Sequence, residues 1–419
     1  MTLPPGRTAG VFRGWWVVAG VFVMLLVTAG IGFYGLAVYL RALTVEQGFS
    51  VGAVSGATAL FFLVSGLTGL PVAAYMARHD PRPMIAAGAV ASGVSLALLG
   101  QVDRVWQVYA VYVLFGAGFA ASSLVPGTTL VTRWFSRRRS IALSVASTGL
   151  SAGGVVLTPA VADLIGRYGL STVTPYLGLA LVLGVVPVTA LLLRPSPEAL
   201  GLLPDGDPAP PPGSPAAFLG ALATEALPTR FFRAVTAAHL LAMLAQVGGI
   251  AHLFNLVAER ADPGVAKAAL SLLAISSLVG RLAGGWFVAR TSMRGFALVL
   301  MVVQAASLVA LAGADSRAGL LVLTVAFGLT VGNLLMLHPL LLAERFGVRD
   351  YGRIYSRSQL VATLGVAIGP AAIGGLHDLV DGYGLAFGLA GVASLVAAGV
   401  LAVSGPTRLP SPVVSPASA

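Results

Sequence analysis

The sequence predicts an all-α membrane protein with twelve transmembrane helices in two pseudo-symmetric six-helix halves. Three observations carry that expectation. Of the 419 residues, 57% are hydrophobic and only 10% are charged, with a mean hydropathy of +0.91. Because about 20 apolar residues cross the hydrocarbon core, this is enough apolar chain for about twelve spans. The apolar residues fall in continuous runs bounded by charges or turn residues, and one long polar interruption, Arg194 to Arg230, divides those runs six and six. Such a composition argues against an enzyme working in water.

Met1 to Gly14 is polar and carries Arg7 and Arg13. The run after it exceeds a signal-peptide core and has no small-residue cleavage site beside it, so it reads as a retained first helix. Spans are expected at about 15 to 40, 51 to 77, 83 to 100, 105 to 131, 140 to 163 and 171 to 193, then at about 231 to 258, 265 to 289, 295 to 313, 318 to 343, 354 to 377 and 383 to 404. Between the halves, Pro208, Pro210, Pro211, Pro212, Gly213, Ser214 and Pro215 cannot form helix or sheet. The expected organisation is an N-terminal segment 1–14, a first half 15–193, a linker 194–230, a second half 231–404 and a tail 405–419.

Alternating the loops from side to side places 18 basic residues, from Arg7 to Arg408, with the termini and linker, and six (Arg41, Arg104, Arg167, Arg260, Lys267, Arg317) opposite. By the positive-inside bias both termini and the linker are expected in the cytoplasm, in a plasma (inner) membrane. The net charge of +10 is spread over these short loops rather than gathered in one patch, so anionic lipid is the expected partner and nucleic acid is not. The run Arg133, Arg137, Arg138, Arg139 belongs to this lipid-facing set, and Trp15, Trp16 and Trp134 read as interfacial anchors. There is no cysteine, hence no disulfide and no thiolate site. Gly30, Gly32 and Gly35 lack the lysine and strand context of a phosphate loop, and no cofactor or metal is expected. Oligomeric state is not legible.

One basic residue belongs to neither side. Arg281 stands alone near the middle of span eight, where a charge costs at least about 2.5 to 3.5 kcal/mol unless it faces a wet cavity or a partner, so it is expected to face the protein interior.

The halves also repeat each other. Span four runs through Pro126 to Arg133, Trp134, Phe135 and on to Pro159, and span ten through Pro339 to Glu344, Arg345, Phe346 and on to Pro370, with the same interval from Phe to the second Pro. Duplicated halves suggest a rocker with its site between them. The GxxxG pairs Gly52/Gly56, Gly149/Gly153, Gly280/Gly284 and Gly365/Gly369 read as sliding interfaces, or as chance pairs in a chain with 52 glycines.

Trp134-Phe135-Ser136-Arg137-Arg138-Arg139, followed by Ala142, Ser144, Ala146, Gly149 and Gly153, resembles the span-five signature of monocarboxylate transporters in the major facilitator superfamily. Arg13-Gly14-Trp15-Trp16 is similar to the opening of bacterial members. The resemblance implies the major facilitator fold and secondary transport by alternating access of a small organic anion, a monocarboxylate such as lactate or pyruvate. Two departures stand out: Ala77 before Arg78 and Ala289 before Arg290 occupy positions where the family carries an acid that helps latch the outward-open state.

Arg281 matches the position of the family's substrate-binding arginine, and a planar guanidinium suits a carboxylate. The alternative is a structural pairing with backbone carbonyls or a neighbouring helix, and the ligand role is the preferred reading. Relatives carry a proton-accepting acid four residues earlier, where this chain has Ser277, so a proton would travel on the substrate or on His252 or His338, whose side-chain type titrates near neutrality. His252, Asn255 and Glu259 share a helical face that reads as a cavity wall or as a helix-to-helix hydrogen-bond stripe; His338 beside Pro339 reads as a proton site or a kink feature. Tyr34 falls where animal members have a lysine, and Ser358 near the second cation of dicarboxylate carriers, so one cation implies one carboxylate. Tyr34, Tyr112, Gln246, Asn333 and Ser358 are the polar groups available to orient it. The alternative readings are efflux of a larger amphipathic compound and a transport-inactive sensor.

Overall fold

The computed structural model describes residues 12–206, 220–380 and 382–405. Among these, twelve helices are long and apolar enough to cross a membrane. They are α1 Arg13–Val45, α2 Val51–Met76, α3 Pro81–Leu99, α4 Val105–Trp134, α5 Arg139–Tyr168 and α6 Leu170–Leu191 in the first half. The second half has α7 Arg230–Arg260, α8 Pro263–Val288, α9 Met293–Gly313, α10 Arg317–Phe346, α11 Tyr351–Val380 and α12 Tyr383–Ala402. Several starts are set by side-chain caps: Ser50, Asp80, Thr229, Asp262, Ser292 and Ser316 each accept a backbone N–H of the first turn. At Asp80 burial works against the carboxylate, but the Arg82 guanidinium and backbone N–H outweigh it and hold the carboxyl below its usual range.

The pairing repeats with a shift of six. The main partners are α1 with α5, α2 with α4 and α3 with α6, then α7 with α11, α8 with α10 and α9 with α12. The halves meet along two seams, α5 on α8 and α2 on α11. Three of the four glycine pairs do not lie on those seams, contrary to the sliding-interface expectation, whereas Gly56 of the remaining pair borders the crevice between α2 and α11. A Cβ at Gly149 or Gly153 would strike the backbone of α1 at Phe22 or Leu26, and one at Gly365 or Gly369 the backbone of α7 at Leu240 or Leu244. Gly280 and Gly284 lie against Leu329 and Asn333 of α10. They make each half compact, which is what a rigid rocking body requires.

Two helices depart from regular α geometry. α1 contains a π-helical turn at Thr28–Phe33, where Tyr34 N–H bonds the Ala29 carbonyl at 2.8 Å and the Tyr39 hydroxyl donates to the Ile31 carbonyl at 2.7 Å. α4 breaks at Ser123 (φ −128, ψ −124), because Pro126 has no N–H to return to the preceding turn.

The Pro-rich run 208–215 lies outside the described residues, as do 1–11 and 406–419. Its flanks are ordered, with short turns at Glu198–Leu200, Pro204–Gly206 and Ala223–Ala226. Asp205, in a left-handed conformation (φ 64), accepts the N–H groups of Ser136, Arg137 and Arg138 at 3.0, 2.7 and 3.3 Å. On the other flank Ala221 N–H donates to the Phe346 carbonyl at 2.8 Å and Ala223 N–H to Asp350 at 3.0 Å. Each flank thus docks on the corresponding loop of one half. Trp134 is no interfacial anchor: it is fully buried, packs on Phe12, and donates its indole N–H to the Arg194 carbonyl at 3.0 Å. Asp205→Ala strands three donors, and is expected to cost about 1 to 3 kcal/mol, with Asp205→Asn less affected; equal melting temperatures for both variants and the wild type would remove the clip from the account.

Candidate functional site

Arg281 lies on α8 about two turns from its end at Val288, nearer that end than the sequence placed it. Its side chain is buried at the α5–α8 seam, only 2% exposed. The guanidinium donates one Nη1 bond across the seam to the Ser147 carbonyl, and Ser144 Oγ donates to the backbone carbonyl of Arg281 at 2.5 Å. Its Nε has no hydrogen-bond partner among the described residues. Gly332 of α10 makes the space: a Cβ there would sit 3.0 Å from that Nε.

Four serines at helical spacing, Ser140, Ser144, Ser147 and Ser151, form the buried α5 face opposite. The same face continues to Val155, which is 44% exposed, and to exposed Ala162. On α8 the face buried at Val288, Gly285, Arg281 and Ser277 becomes exposed at Leu270. The two helices are therefore in contact near the end of the bundle where α1 begins and α12 ends, and uncovered toward the opposite end. Seam contacts of Gly352 with Thr129 and Ala73 lie at the same closed end. Arg281 is buried where this seam is closed, and the seam is uncovered farther along both helices.

Tyr34 stands above it. The π-turn sets its ring against Gly154 of α5, 38% exposed and in electrostatic range of Arg281. Ser277, one turn before Arg281, is buried. Asn333 donates to the Gly280 and Leu329 carbonyls, both at 2.8 Å, and keeps its Oδ1 unpartnered among the described residues. Arg281, Tyr34, Ser277 and Asn333 thus lie together as one candidate site.

The other expected site residues are elsewhere. Tyr112 is fully buried inside the first half near Tyr39 and Thr58. Ser358 is fully buried inside the second half, bonded to His338 Nε2 at 2.6 Å and Thr236 Oγ1 at 2.7 Å, and His338 stacks on His239 with ring centroids 4.2 Å apart. His252 and Asn255 join α7 to α12, each within hydrogen-bond reach of the Tyr383 hydroxyl at 3.2 and 3.3 Å. Ser144 and Ser147 were missed as site residues, because serine in a small-residue helix has the same sequence signature whether it packs or binds.

Ala77 and Ala289 carry no charge where the resemblance leads one to expect an acid. Beside the first, Arg133 donates to the Met76 carbonyl at 2.7 Å, so a backbone acceptor takes the guanidinium.

A sequence profile described as Major Facilitator Superfamily matches residues 20–330. Monocarboxylate transporter 13 of Bos taurus is 30% identical over 376 residues, covering 83% of this chain and 81% of its own. Monocarboxylate transporter 11 of Homo sapiens is 29% identical over 426 residues, covering 95% and 84%. The structure of the E. coli fucose:proton symporter FucP superposes with a TM-score of 0.69 at 17% identity, covering 93% of this chain and 98% of that one, a likeness of fold.

Proposed function

We propose that this chain, which belongs to the Major Facilitator Superfamily and is a transporter rather than an enzyme, moves a small monocarboxylate such as lactate or pyruvate by alternating access. The observation that carries the reading is Arg281: a buried guanidinium with no carboxylate partner among the described residues and an N–H left unbonded. A buried charge of this kind is expensive, and a carboxylate entering from the open end would offset it through paired charge-assisted hydrogen bonds. Tyr34 and Asn333 supply neutral groups to orient the rest of a small molecule, and one cation matches one carboxylate. The relatives named monocarboxylate transporters support the same cargo class, and a bacterial-type member is the reading its Arg13-Gly14-Trp15-Trp16 opening favours.

The termini, with the 1–14 and 405–419 segments and the 194–230 linker, are assigned to the cytoplasm of an inner membrane, with halves 15–193 and 231–404. The closed end then faces inward and the uncovered end outward. A proton is the proposed co-substrate, and membrane lipid the environment of the basic loops. Labelled lactate or pyruvate counterflow in proteoliposomes of the purified chain tests the cargo. Accumulation saturating with unlabelled monocarboxylate, and not with dicarboxylate, is the expected result; no exchange with any short monocarboxylate would remove this reading.

A second reading has its own observation. A crevice of about 410 Å³ between α2, α4 and α11 is lined by Gly56, Ala59, Leu60, Leu63, Leu360 and Leu364 among others, and such apolar walls suit an amphipathic compound for efflux. Increased drug sensitivity on gene deletion, with unchanged growth on short organic acids, would favour it.

A further inference from the structure

We propose that His252 is a proton-binding site, separate from the arginine site, in which the Pro370 carbonyl and the Tyr383 hydroxyl hold the imidazole in both of its charge states. Its consequence for flux rests on the transport reading above; the site itself stands on geometry. Nε2 of His252 lies 3.0 Å from the Pro370 carbonyl of α11. A carbonyl only accepts, so Nε2 carries its hydrogen whether the ring is neutral or charged. Nδ1 lies 3.2 Å from the Tyr383 hydroxyl of α12. A hydroxyl both donates and accepts. In the neutral ring Nδ1 accepts the Tyr383 O–H; when a proton adds to that lone pair, the hydroxyl turns its hydrogen away and accepts from Nδ1–H instead. Asn255 Nδ2, 3.3 Å from the same oxygen, can donate in either state. No hydrogen bond of the imidazole is lost when its charge changes. Gly374 leaves room for the ring, since a Cβ there would lie 3.3 Å from Cε1.

The site also reaches solvent directly: His252 is half-buried and Asn255, beside it on the same face, is exposed. The Tyr383 ring lies against the His377 ring at 4.3 Å, and His377 Nε2 is 3.4 Å from Glu259, whose side chain is 50% exposed at the open end of the bundle. Among the described residues, the titratable groups on this side of His252 are Tyr383 from α12, His377 from α11 and Glu259 from α7. Arg260 is turned away, its guanidinium donating to the carbonyls of Leu311, Ala312 and Ala314. His338 has no comparable path: it is sealed by His239, Tyr355, Ser358 and Thr236. Of the two histidines the sequence offers for proton exchange, the geometry selects His252. An imidazolium there adds positive charge at the open end and raises the local concentration of an incoming anion.

The test measures initial rates of labelled pyruvate counterflow, against external pH from about 5.5 to about 8, where imidazole changes charge and pyruvate stays ionised. It compares the wild type with His252→Gln, Tyr383→Phe and His338→Gln. Acidification is expected to raise the wild-type rate about threefold or more, His252→Gln to flatten the profile, Tyr383→Phe to displace its midpoint, and His338→Gln to keep it. A wild-type profile in His252→Gln overturns the assignment, as does a flat one in His338→Gln alone. Nitrogen-15 histidine spectra of the same protein in micelles read the site without cargo. Of five histidines, the signal missing in His252→Gln should titrate, and its midpoint should move in Tyr383→Phe. If that signal titrates while no short monocarboxylate is carried, the cargo reading falls and the proton site stands; a signal that does not titrate overturns the site whatever the flux.

Discussion

Arg281→Met is expected to abolish carboxylate binding while leaving the melting temperature unchanged or higher. The two effects separate because the guanidinium has no carboxylate partner among the described residues. Removing it takes away the positive half of a charge-assisted contact, worth about 2 to 5 kcal/mol, or about 30-fold to several thousandfold in affinity. The same change relieves a buried charge held by a single cross-seam carbonyl bond, so the apo protein loses little and can gain about 1 to 4 kcal/mol. Arg281→Lys should not restore binding, since an ammonium lacks the planar fork. Binding read by ligand-induced thermal shift, with unfolding of each apo variant alongside, checks both halves. A large loss of apo stability in Arg281→Met would make the residue a structural strut between α5 and α8, and the cargo assignment would lose its support.

Gly285→Val is expected to open the closed end of the bundle. Gly285 faces α5 across the seam, and a Cβ there would land on the Ser144 side chain, 2.6 Å from its Oγ. Such overpacking costs about 1 to 3 kcal/mol, and it falls only on the conformation in which the seam is shut. The equilibrium then shifts about 5- to 150-fold toward the conformation parted at the terminal end. The chain has no cysteine, so Arg78→Cys and Arg290→Cys, one on each half, can carry spin labels for a pulsed dipolar distance measurement. Gly285→Val should lengthen that distance. Gly149→Val, which strikes α1 within the first half, should lower the melting temperature and leave the distance distribution alone. Identical distributions for wild type and Gly285→Val would exclude this seam as the moving one.

The spans were legible because each is a continuous apolar run, and Arg281 because one charge interrupts such a run. What surrounds it was less so. Its partner is the Ser147 carbonyl, and a backbone acceptor leaves no trace in residue identity. The π-turn before Tyr34 has no side-chain signature. Ser358 read as a wall residue because its position along α11 is at membrane depth, but the orientation that points it at His338 depends on helix rotation, which an all-apolar surround does not report. His252 and Tyr383 are 131 positions apart, and no local pattern links them. Three of the GxxxG pairs were legible as close contacts; their partners, within each half rather than across it, were not.

The extra residue accommodated at Thr28–Phe33 has a consequence for how such a scaffold can diversify. Because an α-helix advances about 100° per residue, deleting one position from that turn would restore regular winding and swing everything beyond it by more than a quarter revolution, carrying Tyr34 off Gly154. Chain length in six residues of the first helix can therefore re-face the surroundings of the arginine, with no change in the chemical character of any other side chain.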